Sequence, residues 1–411
     1  QPSTALPPHL ADHLLQLPPP LPAPPSPQVR TSLGSLGVVA GRFEPEIVAE
    51  VTGSLVGAAA LRGAVIPVMF PLAIFTLPIT ATISIADTAG AALAAREVKK
   101  TARGVPADMA PSRRFGERLA SLSTVEARRP AVLLDDRGPA AAGERPTYRD
   151  LASSGVQTVV EAVIERVELR GDWLKTEGFL ALAVTARVRL VRVSDAAELH
   201  RFRLVHLGPK LPVRAWNQGA VLSDAVTAAI DELARAAIDE MFLLYQPVTS
   251  PARDSDLVGL RRLGPDDQAA STTPTLEWES FPRPADLTAD PRLAAARNVT
   301  YELRLWRAPR SPRGEYEPAS GPAAYARTGL PGTRHRIETS LAPSEVYLWT
   351  LRARFELDGW PQVTEWSMLA PARDPVQVEA LLRSPVVPRP GNYFLFQTPA
   401  LPSPDRGAEA S

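Results

Sequence analysis

Few side chains in this 411-residue chain can do chemistry: it has five histidines and no cysteine, which excludes disulfides, thiol nucleophiles and zinc-thiolate sites. His9 and His13 stand four apart, the spacing that puts two imidazoles on one helical face for zinc, but prolines flank them and no third ligand is near. His200 and His206 share strand phase with Phe202 and Leu204, which places them along an apolar sheet face. His335 lies between Arg334 and Arg336, which oppose its protonation and offer no orienting carboxylate. No Ser-His-Asp arrangement can be named. Gly34-Ser-Leu-Gly37 and Gly41 precede or interrupt a strand, and no Gly-Lys-Thr/Ser follows, so no phosphate loop is expected. Asp135-Asp136 could hold a cation, but adjacent carboxylates at a strand exit read as a solvated turn. No catalytic, cofactor-binding or metal-binding residue is therefore assigned, and no cofactor is expected.

Aromatic and arginine side chains are the better candidates for binding. Trp360 follows Asp358-Gly359 in a loop beside Trp366, and Arg352 and Arg354 lie nearby on one strand face. Together they fit a protein-binding hot spot, with ordinary sandwich packing as the alternative reading. The strand that carries the arginines is 341–355, LAPSEVYLWTLRARF, with strict two-residue alternation. Tyr347, Trp349, Leu351, Ala353 and Phe355 point to one face; Leu348, Thr350, Arg352, Arg354 and Glu356 point mostly to the other, wet one. After the Leu341-Ala-Pro343 corner, Tyr347 can bury its ring and return its hydroxyl to nearby backbone.

From 272 to 399 the chain resembles fibronectin type III domains. Pro274-Thr-Leu-Glu-Trp278 is similar to that family's second strand with its core tryptophan, and Tyr301-Glu-Leu-Arg-Leu-Trp306 to the third. Tyr325–Leu330 and Arg336–Leu341 follow in order. Thr364-Glu-Trp-Ser367 resembles the start of the last strand, yet a Pro-rich stretch intervenes before Asn392–Thr398, leaving that strand's position open. The resemblance implies an interaction module by analogy.

Composition narrows the setting. Lys+Arg and Asp+Glu balance at 45 each, so no basic stripe is available for a phosphate backbone and nucleic acid is not an expected partner. Four lysines amid abundant Ala, Arg and Pro suggest a GC-rich bacterial genome, in which the Asn298-Val-Thr300 sequon has little weight. Ten of the first thirty residues are proline, which favours an extended polyproline leash. The chain opens on Gln1, and a lipidated cysteine just before it is one expectation; a trimmed lead is the other.

Residues 63–86 carry no charge, a run longer than the roughly 20 residues that span a bilayer. Pro67, Pro71 and Pro78 oppose a straight span. Three readings fit: a kinked membrane helix, a hairpin or amphipathic element meeting lipid, and an apolar flap packed internally. The candidate membrane contacts are Phe70, Leu72, Ile74, Phe75, Leu77 and Ile79.

The elements that follow are a helix at Arg113–Glu126 (Phe115, Leu119, Leu122, Val125), a buried strand at Ala131–Leu134, and a strand at Thr158–Arg170. A hairpin with one wet face comes next, bearing Arg187 and Arg189, and then a helix at Val221–Leu244. This order resembles the periplasmic α/β domain of envelope lipoproteins, of the curli-secretion lipoprotein and TolB amino-terminal kind. The fold class expected is α+β multidomain: an α/β sheet-and-helix domain followed by an all-β immunoglobulin-like sandwich of fibronectin type III kind. Its parts are a tether at 1–31, the α/β domain at 32–246 with a hydrophobic insertion at 51–95, a linker at 247–271, the sandwich at 272–399 and a tail at 400–411. The function expected is a non-catalytic bacterial cell-envelope lipoprotein, a scaffold or protein-interaction module at the outer membrane facing the periplasm. Other envelope proteins are its expected partners, and homo-oligomers are compatible with it. Two alternatives stand beside it: an oligomeric outer-membrane channel or secretion component that inserts 51–95, and a hydrolase whose site assembles from distant residues.

Overall fold

The structure, a computed structural model, describes residues 25–43, 45–52, 110–172, 179–216, 219–245, 260, 262–265, 268–308, 323–367 and 394–400. A single-turn helix, α1 (Pro27–Thr31), opens it, capped by Ser26, whose hydroxyl accepts from the Val29 amide at 3.3 Å. β1 (Leu36–Ala40), β2 (Glu46–Thr52), α2 (Pro111–Val125), β3 (Ala131–Leu133), β4 (Thr158–Asp172), β5 (Phe179–Arg192) and β6 (Glu198–Pro212) follow. The short helix α3 (Val213–Trp216) leads to α4 (Gly219–Ile238), which runs on into a π-helical turn at Asp239–Leu243.

These strands form one mixed sheet in the order β3-β1-β4-β5-β6. β1 is parallel to both neighbours, and β4, β5 and β6 form an antiparallel meander. β2 takes up the edge of β4 where β1 ends, so that Thr52 lies opposite Asp172. Strand alternation sends Ala162 and Ile164 of β4 and Leu182, Val184, Ala186 and Val188 of β5 to the face that α2 and α4 cover. On α4 the expected stripe of Leu222, Val226, Ile230, Leu233, Ala237 and Met241 is buried throughout. On α2, Phe115, Leu119 and Leu122 are buried, and Gly116 allows close approach to β1, since a Cβ there would lie 3.2 Å from that of Ala40. Val125, the last helical residue, is exposed instead of joining them.

Two expectations fail in this sheet. β3 is not a buried strand: it lies at the sheet edge beside β1, and its central Val132 is exposed. The β5 face bearing Arg187 and Arg189 is not wet either. Glu161 of β4 is 0 % exposed and holds both arginines. Arg189 Nη2 donates to its Oε2 at 2.6 Å, Arg187 Nη1 lies 3.2 Å from its Oε1, and Tyr148 Oη–H donates to Oε2 at 2.6 Å. Buried charge survives only when paired in this way.

The second half comprises β7 (Arg262–Gly264), β8 (Thr275–Trp278), α5 (Pro284–Ala289), β9 (Arg297–Arg307), β10 (Tyr325–Leu330), β11 (Arg334–Arg336), β12 (Val346–Leu357), β13 (Trp360–Val363) and β14 (Phe394–Gln397). One sheet has the order β10-β9-β12-β13, with β14 also on β12, and the other the order β11-β8-β7. Leu276 and Trp278 from one sheet and Tyr301, Leu303, Trp349, Leu351 and Phe355 from the other share a single core. The alternation of 347–355 places Tyr347, Trp349, Leu351, Ala353 and Phe355 in it. Tyr347 Oη accepts from the Ala342 amide at 2.9 Å and so pins the corner before β12.

Both candidates for the final strand lie on the same edge of β12. β13 pairs with its carboxy-terminal end and β14 with Val346–Trp349. Between them the Thr364 amide donates to the Ala353 carbonyl at 2.9 Å and the Ser367 amide to that of Leu351 at 2.7 Å. A single edge is thus completed by two pieces, with 368–393 inserted between them. The described residues form an α+β chain of several sheets with two principal cores. Among them no helix is long and apolar enough to cross a membrane. The uncharged run, with Phe70, Leu72, Ile74, Phe75, Leu77 and Ile79, lies outside the described residues, as do His9 and His13.

Candidate interaction surface

β12 has two faces, and the second is covered as well. Opposite the sandwich core it meets the carboxy-terminal ends of α2 and α4, so the face that alternation assigns to water is a joint between the two halves. Arg352 is 5 % exposed. Its Nη1 donates to Asp239 Oδ2, in the π turn, at 2.6 Å, and its Nε to Glu302 Oε2, on neighbouring β9, at 2.8 Å. Arg354 Nη1 lies 3.3 Å from Glu302 Oε1 and 3.4 Å from Glu126 Oε2, while its Nη2 donates to the Glu126 carbonyl at 2.9 Å. Arg128, just beyond α2, pairs with Glu356.

Electrostatics hold these groups in their charged forms. Burial alone would raise the Glu302 carboxyl, but the Arg352 and Arg354 guanidiniums outweigh it and hold it below the ordinary value. Burial likewise opposes the charge on Arg352, and Asp239 and Glu302 overcome it, leaving its pKa above normal. Arg304, on β9, adds a third guanidinium beside this network. Its pKa is lowered by burial and then by Arg352, with Glu232, Glu302 and Asp239 acting the other way.

Two tryptophans flank this network. The Arg304 and Arg352 guanidiniums lie 4.5 and 4.6 Å from the Trp366 ring centroid. Trp360 is 39 % exposed, with Arg129, from beyond α2, over its ring at 4.3 Å and 5.6 Å from that of Phe242. Apolar groups cross the joint too. Val363 of β13 belongs to the core of the α/β half, and Tyr245, just past the π turn, packs against the sandwich core. Their backbones are joined by the Tyr245 amide, which donates to the Val363 carbonyl at 2.8 Å.

Of the four residues expected to form a hot spot, Arg352 and Trp366 are in contact and Arg354 joins Arg352 through Glu302, whereas Trp360 lies against Arg129 instead, and Arg352 and most of Arg354 face the chain's own α/β half. Trp360 keeps a solvent-facing ring at the rim. Sequence reasoning missed Asp239, Glu302 and Glu126. The available signal was Leu348, which shares the face of Arg352 and Arg354 and is poorly suited to open water.

The remaining candidates have structural surroundings. His206 Nδ1 lies 3.0 Å from Glu232 Oε2 on α4. His200 sits 5.3 Å from the Phe202 ring, its pKa lowered by burial and then by Arg30. His335 Nε2 and Tyr325 Oη are 2.6 Å apart, closing the gap between β10 and β11, and burial lowers its pKa first. Asp135 and Asp136 form an exposed turn, with Asp135 3.9 Å from Arg113. Asn298 donates its side-chain amide to Glu356 at 2.9 Å. Among the described residues, the carboxyls displaced from their ordinary pKa, Asp195, Asp290, Glu302, Glu338 and Glu356, are all displaced downward. No protein-family model matches the chain, and no curated protein sequence matches it.

Proposed function

We propose that the chain is a non-catalytic bacterial cell-envelope lipoprotein that acts as a scaffold, tethered by its Pro-rich lead at the outer membrane and facing the periplasm. Its α/β domain holds a fibronectin type III-like sandwich in one orientation and displays it to other envelope proteins. The observation that carries this reading is the joint. Arginines that would serve a hot spot are spent on fixing one half against the other, and the β11-β8-β7 sheet is left on the far side of the sandwich. The strand order of the two sheets and the Tyr347 corner support kinship with type III modules, which bind more often than they catalyse. Carboxyls held below their ordinary pKa suit ion pairing better than general-acid work.

Two measurements test the proposal. Cells producing the natural precursor are labelled with palmitate and fractionated; the chain should take up label and sediment with the outer membrane, and inhibition of lipoprotein signal peptidase should leave a larger, still labelled precursor that no longer reaches that membrane. A photo-crosslinker is then placed at Glu277 or Arg334, an exposed pair 3.5 Å apart on β8 and β11. Discrete adducts with envelope proteins are expected. An unlabelled cytosolic protein that forms no adduct refutes the reading.

A further inference from the structure

Two segments far from it in sequence, α1 and the β12-β13 pair, converge on the π turn Asp239–Leu243. A helix carboxy terminus leaves its last carbonyls without intrahelical donors, and the wider π closure, here from the Leu244 amide to the Asp239 carbonyl at 2.8 Å, leaves them to outside partners. Arg30, reaching in from α1, is such a partner. Its Nη1 donates to the carbonyls of Leu244 at 2.7 Å and Phe242 at 3.3 Å, and its Nη2 to that of Glu240 at 3.1 Å. The residue is 7 % exposed. On the same turn the Asp239 carboxylate accepts from Arg352, and directly after it Leu244 and Tyr245 bridge to Val363. The turn and the two residues after it thus carry contacts of α1 together with one of the sandwich's two attachments, the other being at the end of α2.

We propose that Arg30 is a positioning residue that couples the amino-terminal segment to the sandwich through this turn. With Arg30 seated, the turn holds Asp239 opposite Arg352 and Tyr245 opposite Val363; with Arg30 withdrawn, it relaxes and the sandwich loosens on the α/β half. The chemistry favours arginine in particular. Its rigid fork of five N–H donors can span three carbonyls, which a lysine ammonium cannot match, and its charge sits at the negative end of the α4 dipole. The charged and titratable neighbours that act on it electrostatically are Glu240, Arg129 and His200. Burial pushes its own pKa down to about 10, with Glu240 opposing, so it stays charged at neutral pH. Coupling of this kind is reciprocal: loosening the sandwich must also loosen α1. The inference needs neither a lipid anchor nor a partner.

Hydrogen exchange on the intact protein tests it, comparing wild type with Arg30→Met, Arg30→Lys and Arg352→Met. In Arg30→Met the Leu244 and Tyr245 amides should exchange about tenfold faster or more, while interior amides of β5 keep their wild-type rates. In Arg352→Met, which leaves Arg30 untouched, the Arg30 and Ser32 amides that close α1 should also exchange faster. Arg30→Lys should fall between wild type and Arg30→Met. The proposal is overturned if the effect of Arg30→Met stays within 25–33, or if α1 protection is unchanged in Arg352→Met. Should Arg30→Met fail to fold, Arg352→Met and Arg30→Lys still decide the matter.

Discussion

Replacing Glu302 by Gln tests whether charge pairing, and not shape alone, holds the two halves together. The substitution preserves volume and an acceptor oxygen, so packing at the joint is retained. What is lost is the charge that Arg352 meets through Nε and Nη2, each at 2.8 Å, and that Arg354 meets at 3.3 Å. A hydrogen bond to a charged group is worth about 1.5–3 kcal/mol, against about 0.5–1.5 for a neutral one. Two strong bonds weakened by about 1 kcal/mol each, plus a smaller share from Arg354, give a loss of about 2–3 kcal/mol at neutral pH. The figure lies below the about 3–5 kcal/mol for a broken buried pair because Arg352 keeps Asp239 and Arg354 keeps Glu126.

The pH dependence follows from the sign of the shift. Because the Glu302 carboxyl is held below its ordinary value in the folded state, its contribution is complete above the unfolded pKa and is lost as pH falls through the folded one. Wild type and variant should therefore differ at pH 7 and converge in acid. In thermal unfolding, about 2–4 °C per kcal/mol for a unit of 150–250 residues translates the loss into about 4–12 °C. The transitions of the two halves should also separate, reported by Trp216 on one side and Trp278 and Trp349 on the other. Equal midpoints at pH 7, or a difference that persists unchanged in acid, would refute the reasoning.

Further expectations concern single groups. Tyr347→Phe removes the hydroxyl that accepts from the Ala342 amide and should cost about 1–2 kcal/mol in urea denaturation without changing the overall circular dichroism. Glu161→Gln strips the countercharge from Arg187 and Arg189 and should cost about 3–5 kcal/mol; an unshifted denaturation midpoint would count against the buried pairing. Asp290 is held at about 2 by its hydrogen bonds with Arg292, against burial, and by that of Tyr245. Its contribution is present above the unfolded value and lost as pH falls toward about 2, so Asp290→Asn should flatten the acid limb of the stability curve. Trp360→Ala should release the Arg129 guanidinium from the rim, weakening the joint by about 0.5–2 kcal/mol in the same denaturation assay.

Elements were legible in the sequence wherever one local period decided them. The 3.6-residue stripe of α4 and the two-residue alternation of Tyr347–Phe355 each reflect a single neighbour, the core, and the structure buries both sets. Val125 and Val132 escaped the same logic because an element's end and a sheet's edge depend on where neighbours stop. The charged residues escaped it for a deeper reason. An arginine on the outward face of a strand reads as wet unless something distant covers it, and Arg352 meets Asp239 across 113 residues of chain. Periodicity carries no information about such a pairing, yet its cost constrains what can be there. A guanidinium removed from water requires acceptors around it, main-chain carbonyls as for Arg30 or, more often here, carboxylates. Arg187 and Arg189 obey the rule with Glu161 inside one sheet, and Arg352 and Arg354 obey it with Asp239, Glu302 and Glu126 across two halves. Arginines that share a strand face with apolar residues, Arg352 and Arg354 with Leu348, or Arg187 and Arg189 with Val191, are therefore better read as a demand for acids elsewhere in the chain than as a solvated face. Glu126, at the end of a helix, and Asp239, at the end of another, are where this chain meets that demand.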